Sequence, residues 1–407
     1  MASNISLVYS KGLCCSCTIC SNYCHKDAIT FKTDKLGFYK PIVNESKCVS
    51  CGKCVRYCPG INDLKHYTQH SEPEEKNVYA YSKDEEMRYN ASSGGLATEL
   101  LCYLLNKGLV DYVTVVTNRT NGVLPQLILT NDIKVVRACR TSKYCPVSWN
   151  GILKEIDRCD GRVALIGLPC QINSIKHYYS KRTNKISYYI ALMCNHTPSF
   201  LAAHYLTRAL GRKEKLCSII NRGGGWPGFM TVTTESAKQG FYPFRRTWPA
   251  GYGIYFKNDR CELCNDPFAK NADIVMGDAY PLHATDNKGT TYAIVRNDQI
   301  YGILQEMRAE NIISLEEGPT EKEKKQYFSD LYKREEEYPL KWAMYKQIRG
   351  GRIEASPISE VNLRYNWKEL ISFRILLLKN KLGQYIFLWP LLIFRHHLKS
   401  IIKIHGN

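Results

Sequence analysis

Beyond Val78 the chain alternates short apolar runs with longer helical segments. The apolar, β-branched runs predict strands, and the segments with helical periodicity predict helices. The predicted strands are Val78 to Ser82, Tyr112 to Val116, Val163 to Gly167 and Ile186 to Met193. The predicted helices are Leu96 to Asn106, Trp149 to Asp157, a segment ending at Tyr178, and Phe200 to Leu210. Strands that alternate with helices form a covered sheet, so we expect a mainly parallel α/β body.

The pattern differs on both sides of this body. Ala28 to Phe31 and Phe38 to Val43 flank a polar turn, which predicts a β-hairpin. Residues 66–77 are polar without an apolar period and predict a linker. After Asn221 the residues alternate as in a small antiparallel sheet. We therefore expect an α+β N-terminal domain at 1–65, a linker at 66–77, the α/β body at 78–350 and a helical tail at 351–407.

Length, composition and charge narrow the class of protein. The chain has 407 residues, 44% of them hydrophobic, which allows two or three globular domains. The net charge of +18 favours acidic partners. We expect an electron-donor protein, a phosphorylated cofactor or an anionic membrane surface, and no nucleic acid, because no Arg-rich recognition motif stands out.

Two cysteine runs near the start share one spacing. Cys14, Cys17, Cys20 and Cys24 form the first, and Cys48, Cys51, Cys54 and Cys58 form the second. Each reads C-x2-C-x2-C-x3-C, which is the spacing of [4Fe–4S] ligands and calls for two clusters. A disulfide scaffold or paired zinc sites are the alternatives, but disulfides need no repeated spacing and zinc sites use two doublets.

This stretch resembles the bacterial two-cluster ferredoxin domain. The resemblance covers about the first 65 residues, with His25 in place of a frequent proline and Cys15 as a surplus thiol. It implies that one cluster is held by Cys14, Cys17, Cys20 and Cys58. It implies that the other is held by Cys48, Cys51, Cys54 and Cys24.

The body carries further cysteines at informative places. Cys170 and Cys194 each follow a predicted strand. Cys170 also lies near a helix N-terminus, where the local field favours the thiolate, which makes it a candidate ligand or nucleophile. Cys261 and Cys264 form a C-x2-C pair, which alone is ambiguous among zinc, a redox disulfide and a cluster. Four thiolates are what a cubane requires, although a buried apolar thiol is the alternative for Cys194.

A small-residue segment, Ser92 to Gly95, precedes the predicted helix at Leu96. Free backbone N–H groups at a helix start suit a phosphate or a flavin carbonyl, although an ordinary capped loop has the same pattern.

The ordered set of motifs resembles the beta subunit of coenzyme F420 (deazaflavin) hydrogenases and dehydrogenases over about residues 78–300. The set comprises Ser93-Gly94-Gly95, Ser142-Lys143-Tyr144, Gly167 to Gln171, Cys194, Cys261-x2-Cys264 and Ala272 to Asp278. The resemblance implies an FAD-binding α/β domain with its own [4Fe–4S] cluster. It implies a third cluster on Cys170, Cys194, Cys261 and Cys264. It also implies flavin contacts from Ser93, Gly94, Gly95, Ser142, Lys143 and Tyr144, with a solvated surface charge as the alternative for Lys143.

Two functions follow from this resemblance. In the first, the chain is a flavin- and iron–sulfur-dependent oxidoreductase that passes electrons between its clusters, FAD and a deazaflavin or other organic acceptor. Some members of the family are associated with surface-polysaccharide synthesis. In the second, it is a non-catalytic electron-transfer subunit of a hydrogenase or dehydrogenase complex. The expected partner is therefore a ferredoxin, a deazaflavin or a dehydrogenase subunit.

The remaining expectations concern location and the tail. Eighteen cysteines and an N-terminus without a charged region leading into an apolar run predict a reducing, cytoplasmic compartment. Residues 361–407 carry eight Lys or Arg and one Glu around two apolar runs, Ile371 to Leu378 and Tyr385 to Phe394. This combination predicts amphipathic helices on an anionic membrane surface, or helices that pack on the body. His196 and His283 are expected to be structural.

Overall fold

The computed structural model describes residues 4–61, 74–118, 120, 124–180, 182, 185–209, 214–237, 239–253, 255–279, 286–349, 365–385 and 388. Most of the predicted linker, His283 and most of the second apolar run of the tail lie outside these residues.

The N-terminal segment contains the predicted hairpin between two short helices. Its elements are α1 Ile5–Ser10, β1 Ile29–Thr33, β2 Tyr39–Val43 and α2 Lys53–Arg56. The two strands pair antiparallel, with Phe31 opposite Pro41. Asp34 accepts hydrogen bonds from the backbone N–H groups of Leu36 (2.9 Å) and Phe38 (3.0 Å), which fixes the turn. The hairpin prediction is confirmed.

The body follows as alternating strands and helices. The strands are β3 Lys76–Ser82, β4 Tyr112–Val116, β5 Leu127–Thr130, β6 Val163–Gly167, β7 Ile186–Leu192, β8 Leu216–Ile220, β9 Phe229–Thr234, β10 Gln239–Pro243, β11 Ile274–Asp278, β12 Thr291–Val295 and β13 Ile313–Glu317. The helices are α3 Glu85–Asn90, α4 Leu96–Asn106, α5 Ile133–Ala138, α6 Ile152–Arg158, α7 Pro169–Tyr179, α8 Phe200–Ala209, α9 Phe244–Thr247, α10 Asp298–Ala309, α11 Glu321–Tyr327, α12 Ser329–Ile348 and α13 Trp367–Lys381.

Eight strands form one central sheet in the order β13-β3-β12-β11-β7-β6-β4-β5. The three junctions β11-β7, β7-β6 and β6-β4 are parallel, and the other four are antiparallel. The expectation of a mainly parallel sheet is therefore wrong. β12 pairs antiparallel with β11, the strand before it, and β3, β13 and β5 are also antiparallel to their neighbours. Only the four strands β11, β7, β6 and β4 therefore have the parallel order that strand–helix–strand units produce.

Helices cover both faces of this sheet. One core contains Trp149 and the inward residues of α6 and α7, such as Ile156 and Ile172. The other contains Leu100 of α4 and Leu304 of α10. A strand covered on both sides is apolar along its whole length, which explains the continuous run in β6. The body is therefore an α/β sandwich, as expected.

A small antiparallel sheet, in the order β10-β9-β8, lies beside the central one. It packs against α8 through Leu206, Met230 and Val232, with Tyr252 and Phe256 in the same core. This agrees with the predicted antiparallel segment, although its first strand begins at Leu216, before Asn221.

The N-terminal segment is packed into the body. Cys17, Ile19 and Tyr23 belong to the same core as Trp149 and the residues of α6 and α7. Asn22 donates from Nδ2 to the carbonyl of Trp149 (2.7 Å) and accepts at Oδ1 from the N–H of Leu153 (3.1 Å). The two parts therefore share a buried interface.

The last two helices cover the N-terminal segment from another side. Trp342 and Tyr345 of α12 and Phe373 and Leu377 of α13 share a core with residues of α1 and with three buried cysteines, Cys20, Cys54 and Cys58. The Tyr345 hydroxyl donates to the carbonyl of Lys11 (2.8 Å). None of the described helices combines the length and the apolar character that crossing a bilayer requires.

Candidate functional site

The first thiol set consists of Cys14, Cys17, Cys20 and Cys58. The four are electrostatic neighbours of one another; Cys17, Cys20 and Cys58 are buried, and Cys14 is partly buried. Burial raises the pKa of Cys14 to about 12, and burial beside the other thiols raises that of Cys20 well above its usual value. Neutral thiols are therefore favoured without metal, whereas bound iron would take the deprotonated form.

The second thiol set lines a separate cavity. Cys24, Cys48, Cys51 and Cys54 all contribute to its wall. Burial, with these neighbouring thiols, raises the pKa of Cys54. The last cysteine of each run thus lies with the first three of the other run. That is the crossed arrangement implied by the resemblance to ferredoxins.

The third thiol set lies at the carboxyl ends of β6 and β7, in the middle of the central sheet. Cys170 is the second residue of α7, directly after β6, and Cys194 follows β7. Because β6 and β7 are parallel neighbours, their carboxyl ends bring these thiols together. Cys261 and Cys264, in and after a short 3-10 helix at Asp259–Leu263, line the same cavity. Burial raises the pKa of Cys261 to about 12 and that of Cys194 well above its usual value.

A fifth cysteine enters this third cavity. Cys15, the surplus thiol of the first run, lines it with the other four. Cys15 is also an electrostatic neighbour of Cys170. The buried guanidinium of Arg260 also lines the cavity and donates to the carbonyls of Gly60 (2.7 Å) and Leu263 (2.6 Å). Sequence reasoning missed Cys15 and Arg260 because no spacing rule connects them to Cys170.

The arrangement of these thiols can be compared with the ligand geometry of a single metal ion and of an iron–sulfur cluster. Among the described residues, no three His, Cys, Asp or Glu side chains converge on one point as a single-ion site requires. The three sets instead surround cavities or buried spaces. Four thiols around a volume fit a cube of iron and sulfide, in which each thiolate binds a different iron.

The residues implied for flavin binding lie in two adjacent loops. Ser92 accepts at Oγ from the N–H of Ser142 (2.7 Å), which joins the loop before α4 to the loop after α5. Ser93 donates to the carbonyl of Thr290 (2.9 Å). The structure therefore brings the two predicted flavin segments, Ser93 to Gly95 and Ser142 to Tyr144, together at the start of α4.

The glycines of the first loop have structural reasons of their own. A Cβ on Gly94 would lie 2.6 Å from the carbonyl oxygen of Ala80 and 2.8 Å from the nitrogen of Thr291. Gly94 therefore allows the loop to approach the backbone of β3 and β12. Gly95 is the N-cap residue of α4 and has a φ of +83°, a conformation that favours glycine.

Lys143 turns its ammonium group inward. Its Nζ donates to the carbonyls of Thr141 (2.8 Å) and Cys139. Loss of hydration on burial lowers the pKa of Lys143 to about 8. The ammonium is therefore bonded to backbone carbonyls, and a role for Lys143 in flavin binding stays a prediction.

An aromatic cluster, defined here as Tyr144, Phe244, Trp248 and Tyr252, lies beside these loops. The ring of Tyr144 is 5.6 Å from Phe244, 5.0 Å from Trp248 and 5.6 Å from Tyr252, between centroids. Phe244, Trp248 and Tyr252 lie four residues apart in one segment, but Tyr144 comes from a distant loop, so no local pattern joined it to the other three rings. It offers flat apolar surfaces of the kind that contact a planar ring.

Arg222 lies against the aromatic cluster and is almost fully buried. Its Nη1 is 2.6 Å from Asp278 Oδ2 and 3.4 Å from the Tyr144 hydroxyl. Burial opposes its charge, but Asp278 outweighs that effect and raises the pKa of Arg222. Its Nη2 has no hydrogen-bond partner among the described residues. An unpaired buried donor of a permanent cation fits an anionic or carbonyl group of a ligand.

His196 joins the third cavity to the aromatic cluster. It lines the cavity, its ring is 5.6 Å from that of Trp248, and its Nε2 is 2.5 Å from the carbonyl of Tyr252. Burial lowers the pKa of His196 to about 3, so the ring is neutral near pH 7. Its Nδ1 has no partner within the described chain. The expected structural role accounts for Nε2 only.

Comparison with known proteins gives matches along most of the chain. Residues 77–154 match the model for the N-terminus of the coenzyme F420 hydrogenase/dehydrogenase beta subunit, and residues 160–321 match the model for its C-terminus. Residues 41–60 match a 4Fe-4S binding domain. The first two models together span more than half of the 407 residues.

Two curated relatives match the same region. A subunit of the F(420)H(2) dehydrogenase of Methanosarcina mazei is 28% identical over 207 residues, covering 48% of this chain and 56% of that protein. The coenzyme F420-dependent sulfite reductase of Methanocaldococcus jannaschii is 27% identical over 206 residues, covering 46% of this chain and 31% of that protein. The chain thus matches about half or less of these relatives' lengths.

A solved structure shares the fold. A chain of the F420-reducing [NiFe] hydrogenase complex from Methanosarcina barkeri superimposes with a TM-score of 0.52 at 18% identity. The superposition covers 69% of this chain and 96% of that one.

Proposed function

The chain belongs to the family of coenzyme F420 hydrogenase/dehydrogenase beta subunits and carries a 4Fe-4S binding domain, and on that premise we propose that it conducts electrons between three iron–sulfur sites and a partner enzyme. The partner would be a hydrogenase or dehydrogenase subunit. The relatives named as subunits of such enzymes support this reading.

The observation that carries the proposal is the continuity of the three thiol sets. Cys15, from the segment that holds the first set, lines the cavity of the third set. Cys17 is an electrostatic neighbour of both Cys15 and Cys170. A buried interface with shared apolar residues holds the two parts in place. Fixed neighbouring sites are what an electron conductor needs.

The proposed cluster ligands follow from these sets. Cys14, Cys17, Cys20 and Cys58 would hold one cluster, Cys24, Cys48, Cys51 and Cys54 a second, and Cys170, Cys194, Cys261 and Cys264 a third. A bound cluster supplies one-electron transfer at a potential set by its surroundings. The chain contributes the thiols, and α12 and α13 pack over Cys20, Cys54 and Cys58, which would limit the access of water there.

FAD is the proposed organic cofactor, near Ser93, Gly94, Gly95, Ser142, Lys143 and Tyr144. A bound flavin supplies exchange between one-electron and two-electron carriers. The chain would contact it through the ring of Tyr144, the free Nη2 of Arg222 and the ammonium of Lys143. Arg222 keeps its charge through Asp278, 2.6 Å away.

A second candidate function is that of an oxidoreductase complete in itself, with a deazaflavin or other organic acceptor. The ferredoxin-like segment packed in the same chain favours this reading, because it replaces a separate electron-donor subunit. One relative is named as a sulfite reductase. The descriptions of the two matched beta-subunit models favour the electron-transfer role as the first choice.

The experiment has two parts. Protein reconstituted without oxygen should contain about twelve iron and twelve sulfide per chain, because three cubanes carry four of each. About eight of each would remove the third cluster from the proposal. The purified chain alone should then fail to oxidise reduced deazaflavin. It should oxidise reduced deazaflavin once its partner subunit is added. Turnover without a partner would favour the second candidate.

The proposal also covers the location of the protein and its contact with a membrane. Peripheral contact with an anionic membrane is proposed for the tail, on the exposed apolar side chains of α13. A cytoplasmic location is proposed from the cysteine content and the N-terminal sequence, and a link to surface-polysaccharide synthesis is proposed from the resemblance to the family.

A further inference from the structure

The second thiol set differs from the other two in its exposure. All eighteen cysteines lie within the described residues, and of these only Cys51 is exposed. Cys17, Cys20 and Cys58 of the first set are buried, and the four cysteines of the third set are partly buried. A partner protein can therefore approach the second set, at Cys51, more closely than it can approach the buried thiols.

The second set also lies at one end of the series of thiol sets. Cys20 and Cys58 of the first set share a core with Cys54 of the second set. Cys15, which lines the third cavity, packs against the core that contains Cys17 of the first set. The first set thus connects the second set to the third, and the second set is a terminal site of the proposed electron path.

An apolar side chain lies exposed beside this terminal site. Val49 has 57% of its surface accessible and lines the second cavity together with Ser50 and Cys51. The centre of a protein–protein interface is apolar and its rim is polar. Val49 therefore has the place of a small interface centre if the surroundings of the cavity form the rim.

The surroundings of Val49 are basic. Lys26 lines the same cavity, Lys47 directly precedes Cys48, and Lys53 is the first residue of α2. All three lysines are exposed. We define the docking surface as Lys26, Lys47, Val49, Cys51 and Lys53.

The acidic residues nearby do not cancel this charge. Asp27, beside Lys26, forms an ion pair with Lys154 of α6. Glu45 is bonded to the side-chain amide of Asn4 (3.5 Å) and is the other carboxylate in these segments. The docking surface thus keeps a net positive charge around an apolar side chain and an exposed thiol.

We propose that the docking surface binds a small acidic electron-carrier protein, which exchanges electrons with the chain at the second thiol set. The lysines attract carboxylates of the carrier and speed its association, and Val49 becomes buried on docking. Each encounter moves one electron, which the carrier loses and the chain gains, and no bond forms or breaks. This inference rests on the proposed function, because the exchange needs iron and sulfide at the second thiol set.

The test measures binding of the reconstituted full chain, without oxygen, to an immobilised small acidic ferredoxin. Lys47→Glu with Lys53→Glu reverses two charges of the docking surface, and Val49→Ser removes its apolar centre. Lys322→Glu with Lys325→Glu is the matched control, because it changes the net charge equally at exposed positions of α11, which lines neither of the two cysteine cavities. Association and dissociation rates are measured at low salt and at about 1 M salt, and iron content is measured for every protein.

We expect about twelve iron per chain in wild type and in all variants. At low salt, reversal of Lys47 and Lys53 should slow association at least about tenfold, because electrostatic steering raises association rates about tenfold to a thousandfold. The α11 control should associate like wild type, and the difference should shrink at about 1 M salt. Val49→Ser should dissociate about threefold faster or more, because an apolar side chain is no longer buried on docking.

Three results would overturn the inference. Unchanged association after reversal of Lys47 and Lys53, with full iron, would exclude this docking surface while leaving the proposed function intact. Equal slowing in the α11 control, with no effect of Val49→Ser, would assign the attraction to the net charge of the chain. Wild-type protein that takes up no iron would remove the proposed function, and with it the exchange of electrons at this surface.

Discussion

At the scale of single residues, the structure separates side chains that build a loop from those that face a ligand. Gly94 is explained by its contact with the backbone of Ala80 and Thr291. A Gly94→Asp substitution would therefore disturb packing before it affected a flavin. Lys143 and Arg222 are more informative, because both place a cation in a poorly hydrated environment.

Lys143→Ala should weaken FAD binding about tenfold to a hundredfold at pH 7, since a hydrogen bond to a charged group contributes about 1.5–3 kcal/mol. The pKa of Lys143 is lowered to about 8, so the ammonium loses its proton as the pH rises through that value. Wild-type affinity should therefore begin to fall above about pH 8, while that of Lys143→Ala should show no such fall. Fluorescence titration with FAD measures both.

Lys134→Ala, an exposed lysine on α5, is the matched control and should behave like wild type. The iron–sulfur absorbance should be the same in all three proteins. Equal FAD affinity in Lys143→Ala and wild type at pH 7 would exclude Lys143 from the cofactor site.

At the scale of elements, α13 has two apolar faces. Phe373 and Leu377 are buried against α12 and the N-terminal segment. The other face exposes Trp367, Ile371, Ile375 and Leu378, with 67%, 45%, 47% and 61% of their surfaces accessible. The helix therefore packs on the body and also presents an apolar surface. The two expectations for the tail are compatible.

We predict that replacing Ile371, Ile375 and Leu378 together by serine abolishes flotation of the protein with anionic vesicles at low salt. Interfacial binding combines burial of apolar side chains with attraction to acidic headgroups. Flotation of the wild type should also weaken in about 1 M salt, where the Debye length is about 3 Å. Phe241→Ser, at an exposed phenylalanine of β10, is the control and should float normally.

This variant is a sharper test than a chain ending at Ser359, because that truncation also removes Phe373 and Leu377 from the core. Wild-type protein that remains at the bottom of the gradient at low salt, and does not float with the anionic vesicles, would contradict membrane binding. The exposed face would then need another explanation.

At the scale of the whole molecule, the predicted domains share buried surfaces. The N-terminal segment shares one core with α6 and α7 and another with α12 and α13. Strand β3 begins at Lys76, and Glu75 pairs with Arg296 and Lys324, so residues just before Val78 also contact the body. These contacts make the N-terminal segment part of one packed unit.

We expect Asn22→Ala to lower the free energy of unfolding by about 2–4 kcal/mol, because a buried interface loses several hydrogen bonds. Asn22 bonds to the backbone of Trp149, Leu153 and Ile19. Anaerobic thermal scans should show cluster absorbance and far-ultraviolet circular dichroism changing together, at a lower temperature than in wild type. Ser46→Ala, at an exposed residue of the same segment, should change neither. Two separate transitions in wild type would contradict one cooperative unit.

Features that depend on local spacing could be predicted from the amino-acid sequence. The cysteine runs, the hairpin around Asp34 and the bounds of α4 follow from residues within a few positions of one another. The positions of Cys170 and Cys194 at the ends of strands could also be predicted, because the end of a strand is marked by neighbouring residues. The resemblance then identified the family, which the matches confirm.

Features that depend on pairings between distant residues became visible in the folded chain. Strand direction within the sheet depends on which strands become neighbours. The antiparallel pairings of β12, β3 and β13 on one side and of β5 on the other could therefore not be predicted from the alternation of strands and helices. Cys15 meets Cys170, and Arg222 meets Asp278 and Tyr144, across separations that no spacing rule covers. The physical reason is that packing of the core fixes the backbone first, and the backbone then selects which remote side chains share a cavity.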